Sequence, residues 1–223
     1  MHSVFVRSGW RFAMIAIGVC GSLGEASAAT EGVPVEPQVL TLAFVNSCEA
    51  SSQVVATAMK DTSRIWTEAG VTIRWVTTRE LPYRSPLSDW LVVRCIGSAI
   101  PTSSTNSPLA IAAIRFVGSL PTNTIFASVA NANALLARDR FESRDFDERF
   151  KVFRDLRLGR MLGRAIAHEV GHFLTRASAH TPSGLMRATH SVTALTGETL
   201  YAFKIDPAVF LEAANRTELP ETP

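Results

Sequence analysis

Three features of this sequence predict a single α/β domain, with a twisted, mainly parallel sheet backed by two long helices. The chain alternates strand, helix and strand with short joints between Val39 and Val76. Leu156 to Leu174 carries apolar residues at helical spacing over five turns. No internal repeat and no linker divides the chain between them.

The elements follow in order. Residues 1–28 read as an export signal: Arg7 and Arg11, an apolar run from Phe12 to Cys20, then small residues up to Ala28 or Ala29. That run is shorter than the ~20 residues needed to span a bilayer, so a cleaved signal is expected rather than an anchor. Residues 29–223 then form one domain. Glu31 to Gln38, with two prolines, is an extended leader. Val39–Val45 is a buried strand. Ser51 or Ser52 caps a helix running to about Glu68, and Gly70 ends it. Val71–Val76 alternates with period two and reads as a second strand, parallel to the first. Trp90–Ile96 is a third. Pro101–Pro108, rich in Ser, Thr, Asn and Pro, is a loop.

Leu109–Val117 fits a strand or a helix. Thr124–Ala130 reads as a strand, and its place as the last strand before the long helix makes it the candidate sheet edge. An inner position is the alternative. Asn131–Ala137 is a short helix or a bend. Arg138–Arg157 mixes charges with Phe141, Phe146, Phe150 and Phe153. It reads as a solvated helix pinned by its aromatic stripe, or as a flap. In the long helix, Gly159, Gly163 and Gly171 point to close packing rather than a break. Thr175–Ser183 is a polar loop, and Pro207–Ala214 is a last helix.

Bulk properties limit the partners. The formal charge of the 223 residues is +2, which gives no electrostatic reason to bind nucleic acid or a membrane surface. Beyond the signal no segment is apolar enough to cross a membrane. Cys48 and Cys95 remain after the signal. An even count in an exported chain fits one disulfide, with two buried thiols as the alternative.

The chemistry is concentrated in His168-Glu169-Val170-Gly171-His172, an HExxH sequence in the clearest helix. Residues four apart share a helix face, so both imidazoles can reach one metal ion. Zinc accepts neutral imidazole nitrogen, and a catalytic site keeps one position for water. Glu169 lies beside that face, where a carboxylate can act as general base. The third ligand is open at this level. His180 follows His172 across the polar loop, His190 is the next choice, and Glu198 is the one acidic residue worth naming.

His168, Glu169, His172 and His180, followed by Gly184 and Met186, resemble the metzincin clan of zinc peptidases. Its pattern is HExxHxxGxxH with a later turn that carries a methionine. The runs Ala167–Leu174 and His180–Ala188, with Ala69–Trp75 near the start, are similar to exported bacterial proteins of that type. Thr175 stands where the clan has glycine, Ser178 stands at its third histidine, and His180 comes two residues late. A wider turn is therefore required.

The resemblance implies a zincin-like sheet with one antiparallel edge strand and a small C-terminal helical subdomain. It also implies zinc held by His168, His172 and His180, with Met186 as an apolar floor beneath them. The function it implies is hydrolysis of peptide bonds, with substrate bound as an added strand at a sheet edge. A catalytically silent exported zinc-binding protein and a zinc amidase acting on cell-wall peptides are the alternatives. The expected partner is a peptide or protein substrate. The expected form is a monomer, secreted or periplasmic.

Overall fold

The structure, a computed structural model, describes residues 38–80, 90–101, 109–138 and 148–205. Residues 1–28, read as an export signal, the expected loop after Pro101 and the expected helix at Pro207–Ala214 lie outside the described residues. So do Phe141 and Phe146.

The opening unit forms as its pattern dictates. Strand β1 (Gln38–Asn46) leads to helix α1 (Ser52–Thr67), which returns to β2 (Val71–Val76). Ser51 caps α1, its side-chain oxygen accepting from Val54 N at 3.3 Å. Gly70 at φ +80° turns the chain into β2, a conformation that costs glycine nothing. β1 pairs in parallel with β2 and with β3 (Trp90–Ile96). The carboxyl ends of β1 and β3 are tied by the Cys48–Cys95 disulfide, with Cα atoms 5.4 Å apart.

The ambiguous stretch at 109–117 is strand β4 (Ala112–Val117). It turns at Gly118, φ +63°, into β5 (Leu120–Ser128) and pairs with it antiparallel. The sheet order is β2-β1-β3-β5-β4. β5 is thus an inner strand between β3 and β4, and the edge expectation for Thr124–Ala130 is corrected: β4 is the edge. Chain order misled because the tight turn at Gly118 lets β5 join β3 and throws the earlier strand outward. Helix α2 (Val129–Arg138) follows at once, where Ser128 Oγ accepts from Asn131 N at 3.1 Å.

The long helix is α3 (Glu148–Thr175), 28 residues without interruption. It begins two turns before the expected Leu156. Phe150 and Phe153 lie on that added stretch, 57% and 66% exposed, so they do not pin it. The short helix α4 (Val192–Thr196) and a 3₁₀ turn at Tyr201–Phe203 follow the loop after α3. Among the described residues no helix is long and apolar enough to cross a membrane.

Strand alternation sorts the sheet's faces. Leu40, Leu42, Ile73, Leu91, Val93, Ile125 and Ile114 fall on one face by register and are all buried. Thr72, Arg74, Arg94 and Arg115 fall on the other and are exposed. Both long helices cover the apolar face, packed against each other. Their contact is close because glycine permits it. A Cβ at Gly159 would come within 2.6 Å of Thr57 Cβ, and one at Gly163 within 2.6 Å of the Ala58 carbonyl oxygen. Buried polar groups find partners in the same seam. Trp66 Nε1 donates to Ala167 O at 3.2 Å, and Arg164 Nε meets Asp61 at 3.2 Å.

Gly163→Ala should therefore lower unfolding stability by about 1–3 kcal/mol, because the obstructing atom is backbone and cannot rotate away. Gly97→Ala, where an added Cβ meets nothing within 4 Å, should change it by less than about 0.5 kcal/mol. Urea denaturation of the two variants checks the contrast.

Candidate metal centre

Helix α3 delivers His168 and His172 to the same face one turn apart, their Nε2 atoms 3.0 Å from each other. The other ring nitrogens fix the tautomers. His168 Nδ1 lies 2.8 Å from Leu185 O, and His172 Nδ1 lies 2.7 Å from Ala177 O. A carbonyl can only accept, so both Nδ1 atoms carry hydrogen. Each neutral ring then presents an Nε2 lone pair, and the two lone pairs face the same point. Two acceptors held that close repel unless a proton or a cation lies beside them.

Burial argues against the proton. It pushes His168 down from 6.5 to about 4, against the opposing pull of the Leu185 bond, and the neighbouring imidazoles add to the lowering. His172 is lowered too, again chiefly by burial. A cation is the partner that suits two neutral imidazoles whose far nitrogens are tied to backbone oxygen.

The third ring arrives through a turn without glycine. Arg176 takes φ 49°, a left-handed conformation uncommon for a residue with a side chain, and reverses the chain at the end of α3. His180 then lies over His168, ring centroids 5.2 Å apart and planes within 24°. It meets His172 edge-on at 5.0 Å. One ring nitrogen from each of the three lies within 4.8 Å of the others. The donor set of three imidazoles fits zinc.

The other residues left open by the sequence fall outside this group, although His190 stays beside His168 with ring centroids 6.5 Å apart. His190 Nε2 lies 3.3 Å from Leu185 O, the oxygen that also receives His168, and its ring packs on Phe203 at 4.7 Å. Glu198 is exposed and faces Arg160 at 3.5 Å.

The loop after His180 closes back under the helix. Thr181 N donates to Met186 O at 2.9 Å, and Leu185 N donates to Lys204 O at 3.1 Å. Gly184, at φ +75°, sits where a Cβ would strike Lys204 O. Met186 is buried, its sulfur so close to Gly171 that no side chain fits between them.

Glu169 points from the same helix turn toward the sheet. Its Oε2 accepts from Ile114 N of edge strand β4 at 2.9 Å. Burial raises its carboxyl from 4.5 to about 7, against the opposing effect of the Ile114 bond. Phe116, on the same strand, meets His172 edge-on at 6.3 Å. A half-buried carboxyl on the helix turn that carries His168 can hold or release a proton close to neutral pH.

Sequence reading missed Ile114, Phe116, and the carbonyls of Ala177 and Leu185. Three of these act through backbone atoms that any residue carries, so no residue type marked them. Phe116 lay in the stretch that sequence could not resolve between strand and helix.

No family model matches the chain, and no curated protein matches it. Two solved structures that align with it are an archaemetzincin from Methanopyrus kandleri and a zinc-dependent peptidase from Methanocorpusculum labreanum. The first is 11% identical over 80% of this chain and 94% of its own, with a TM-score of 0.43. The second is 9% identical over 78% of this chain and 99% of its own, with a TM-score of 0.46. Alignments this distant do not bear on chemistry, so the function rests on the site itself.

The two largest shifts oppose each other in the metal-free protein. His168 is lower folded than unfolded, so the unfolded chain takes up the proton first and stability falls as pH drops from 6.5 through 4. Glu169 is higher folded, so its contribution is complete below 4.5 and is lost as pH rises through 7. Between 4.5 and 6.5 the slopes partly cancel. Metal-free Glu169→Gln should lose this compensation and fall by on the order of 3 kcal/mol between pH 6.5 and 4. Chemical denaturation of both proteins across that range measures the difference.

Proposed function

We propose that this chain is an exported zinc-dependent endopeptidase. The observation that carries the reading is the pair of Nε2 lone pairs 3.0 Å apart, joined by a third imidazole, with Glu169 next to His168 in the chain. Such a donor set suits a divalent ion, and a carboxyl poised near neutrality suits proton transfer.

In this reading His168, His172 and His180 hold the ion, and Leu185 O and Ala177 O keep the first two rings in the ligating tautomer. Bound there, zinc supplies the Lewis acidity that makes water a nucleophile at neutral pH and polarises a peptide carbonyl. Glu169 takes a proton from the attacking water and passes it to the departing amine. Burial beside β4 keeps the carboxyl from ionising too readily for that exchange. Met186, seated against Gly171, forms an apolar floor that limits how far the histidine-bearing turn can shift.

The substrate lies along β4 as an added strand. β4 is an edge, and it contacts both Glu169 through Ile114 and His172 through Phe116. Main-chain bonds then give affinity and alternate side chains give selectivity. The Cys48–Cys95 disulfide supports an oxidising compartment, in keeping with residues 1–28 as an export signal.

Elemental analysis of the exported protein should find about one zinc per chain, and a chelator should abolish cleavage of unfolded protein. Glu169→Gln should keep the zinc while lowering kcat/KM on the order of 10²–10⁴-fold. His180→Ala should weaken zinc binding by more than roughly a hundredfold. A Glu169→Gln enzyme that cleaves as fast as the parent rules out the assignment of the base.

A further inference from the structure

The bond between Glu169 and Ile114 falls on the very backbone group that an added strand requires. In an antiparallel pair, residues alternate between those bonded to the partner strand and those bonded away from it. Ser128 N donates to Ile111 O at 2.7 Å, which makes position 111 inward-facing. By the register of β4 on β5, Ala113 opposite Phe126 is inward as well. Ala112 and Ile114 therefore turn their N–H and C=O groups to the outer side of β4. Among the described residues no strand pairs there. Glu169 Oε2 reaches Ile114 N from that outer side.

A peptide laid antiparallel on β4 exchanges two bonds with Ile114, and one of them uses the N–H that Glu169 already holds. An N–H has one hydrogen, so carboxylate and peptide carbonyl compete for it. We propose that the free enzyme parks Glu169 on the edge strand, and that an extended peptide releases it by taking Ile114 N–H. The proposal rests on the peptidase reading above. Binding in the substrate groove and freeing of the base then become one event. The substrate class follows: extended polypeptide able to present a carbonyl opposite Ile114 is favoured over small amides that cannot form the strand. Release moves no covalent bond. It exchanges one hydrogen bond for another and turns the carboxylate toward the cleft.

Two variants at one position separate the competition from the chemistry. Glu169→Gln keeps an oxygen that accepts from Ile114 N–H, and Glu169→Ala keeps none. The probe is a short peptide spanning a bond that the parent enzyme cuts in a denatured, carboxymethylated protein. Both zinc-loaded variants should cleave the peptide on the order of 10²–10⁴-fold more slowly than the parent, slowly enough for binding of the intact peptide to be read. Glu169→Ala should bind the intact peptide about tenfold tighter than Glu169→Gln, because nothing has to be displaced. Without peptide, the Ile114 amide should exchange with solvent about tenfold faster in Glu169→Ala than in Glu169→Gln. Adding peptide to Glu169→Ala should slow it again.

Glu169→Gln carries an independent readout, since the side-chain amide resonances it introduces should shift when peptide displaces them from β4. Equal peptide affinities with an Ile114 amide indifferent to peptide overturn the proposal, as do introduced amide resonances that do not move. If either variant cleaves like the parent, the general-base assignment fails instead, while the exchange data still decide the competition at Ile114.

Discussion

The segment that follows α3 is held to the helix by a row of donors four residues apart. Arg160 Nη1 donates to Thr196 O at 3.1 Å, and Arg164 reaches Ala194 O and Gly197 O. His168 and His172 continue the row to Leu185 O and Ala177 O. Every acceptor is a backbone carbonyl, so the row fixes the path of the chain rather than any particular side chain. The orientation of the two converging Nε2 atoms is a consequence of the same row, because an imidazole that donates through Nδ1 must offer its lone pair at Nε2. Arg164 is the costly member. Its guanidinium is buried, desolvation lowers its pKa, and the nearby Asp61 carboxylate opposes that lowering. A buried charge of this kind is tolerable only while its partners remain in place, which commits α1, α3 and α4 to one arrangement.

Adjacent rows of α3 have different duties. Gly159, Gly163, Ala167 and Gly171 form a small-residue row that lets α1 and Met186 approach the helix. Leu158, Leu162, Ile166 and Val170 form the buried apolar row. The chemistry occupies the surface left between these packing rows, and the packing sets its geometry. Moving α3 by an ångström relative to α1 would disturb Arg164–Asp61, then the carbonyls that orient the imidazoles. A 28-residue helix gives this chain of dependence its rigidity.

What was legible in the sequence was local. His168, Glu169 and His172 declare themselves because a four-residue spacing becomes a shared face on any helix. The β1–α1–β2 unit was legible for a similar reason, since its periodicity and the Gly70 stop leave little choice of structure. His180 was a harder matter. The turn that brings it in depends on Arg176 adopting φ 49°, which no residue type announces. The edge strand was misplaced because hairpin order is decided by which strand finds β3, a contact remote in sequence. The start of α3 was placed late because the mixed charges before Leu156 break the apolar spacing, and the aromatic stripe expected to pin that stretch is exposed at Phe150 and Phe153.

The placement of β4 also answers a problem that every open sheet faces. An edge strand presents unpaired N–H and C=O groups and invites a further strand from any chain that can supply one. Here the edge must stay receptive if peptides are to bind, so it cannot be covered by a helix or interrupted by proline. A single carboxylate on Ile114 N–H is a milder defence. It satisfies the most central outward donor of β4 in the free protein, yet yields to a strand that forms several bonds at once. The exposed apolar tip of the hairpin, Val117 and Leu120, lies beyond this guard, 74% and 56% open to solvent. In the peptidase reading proposed above, a strand that also reaches the three imidazoles gains further contacts there, and selection between a casual strand and a productive one falls to them.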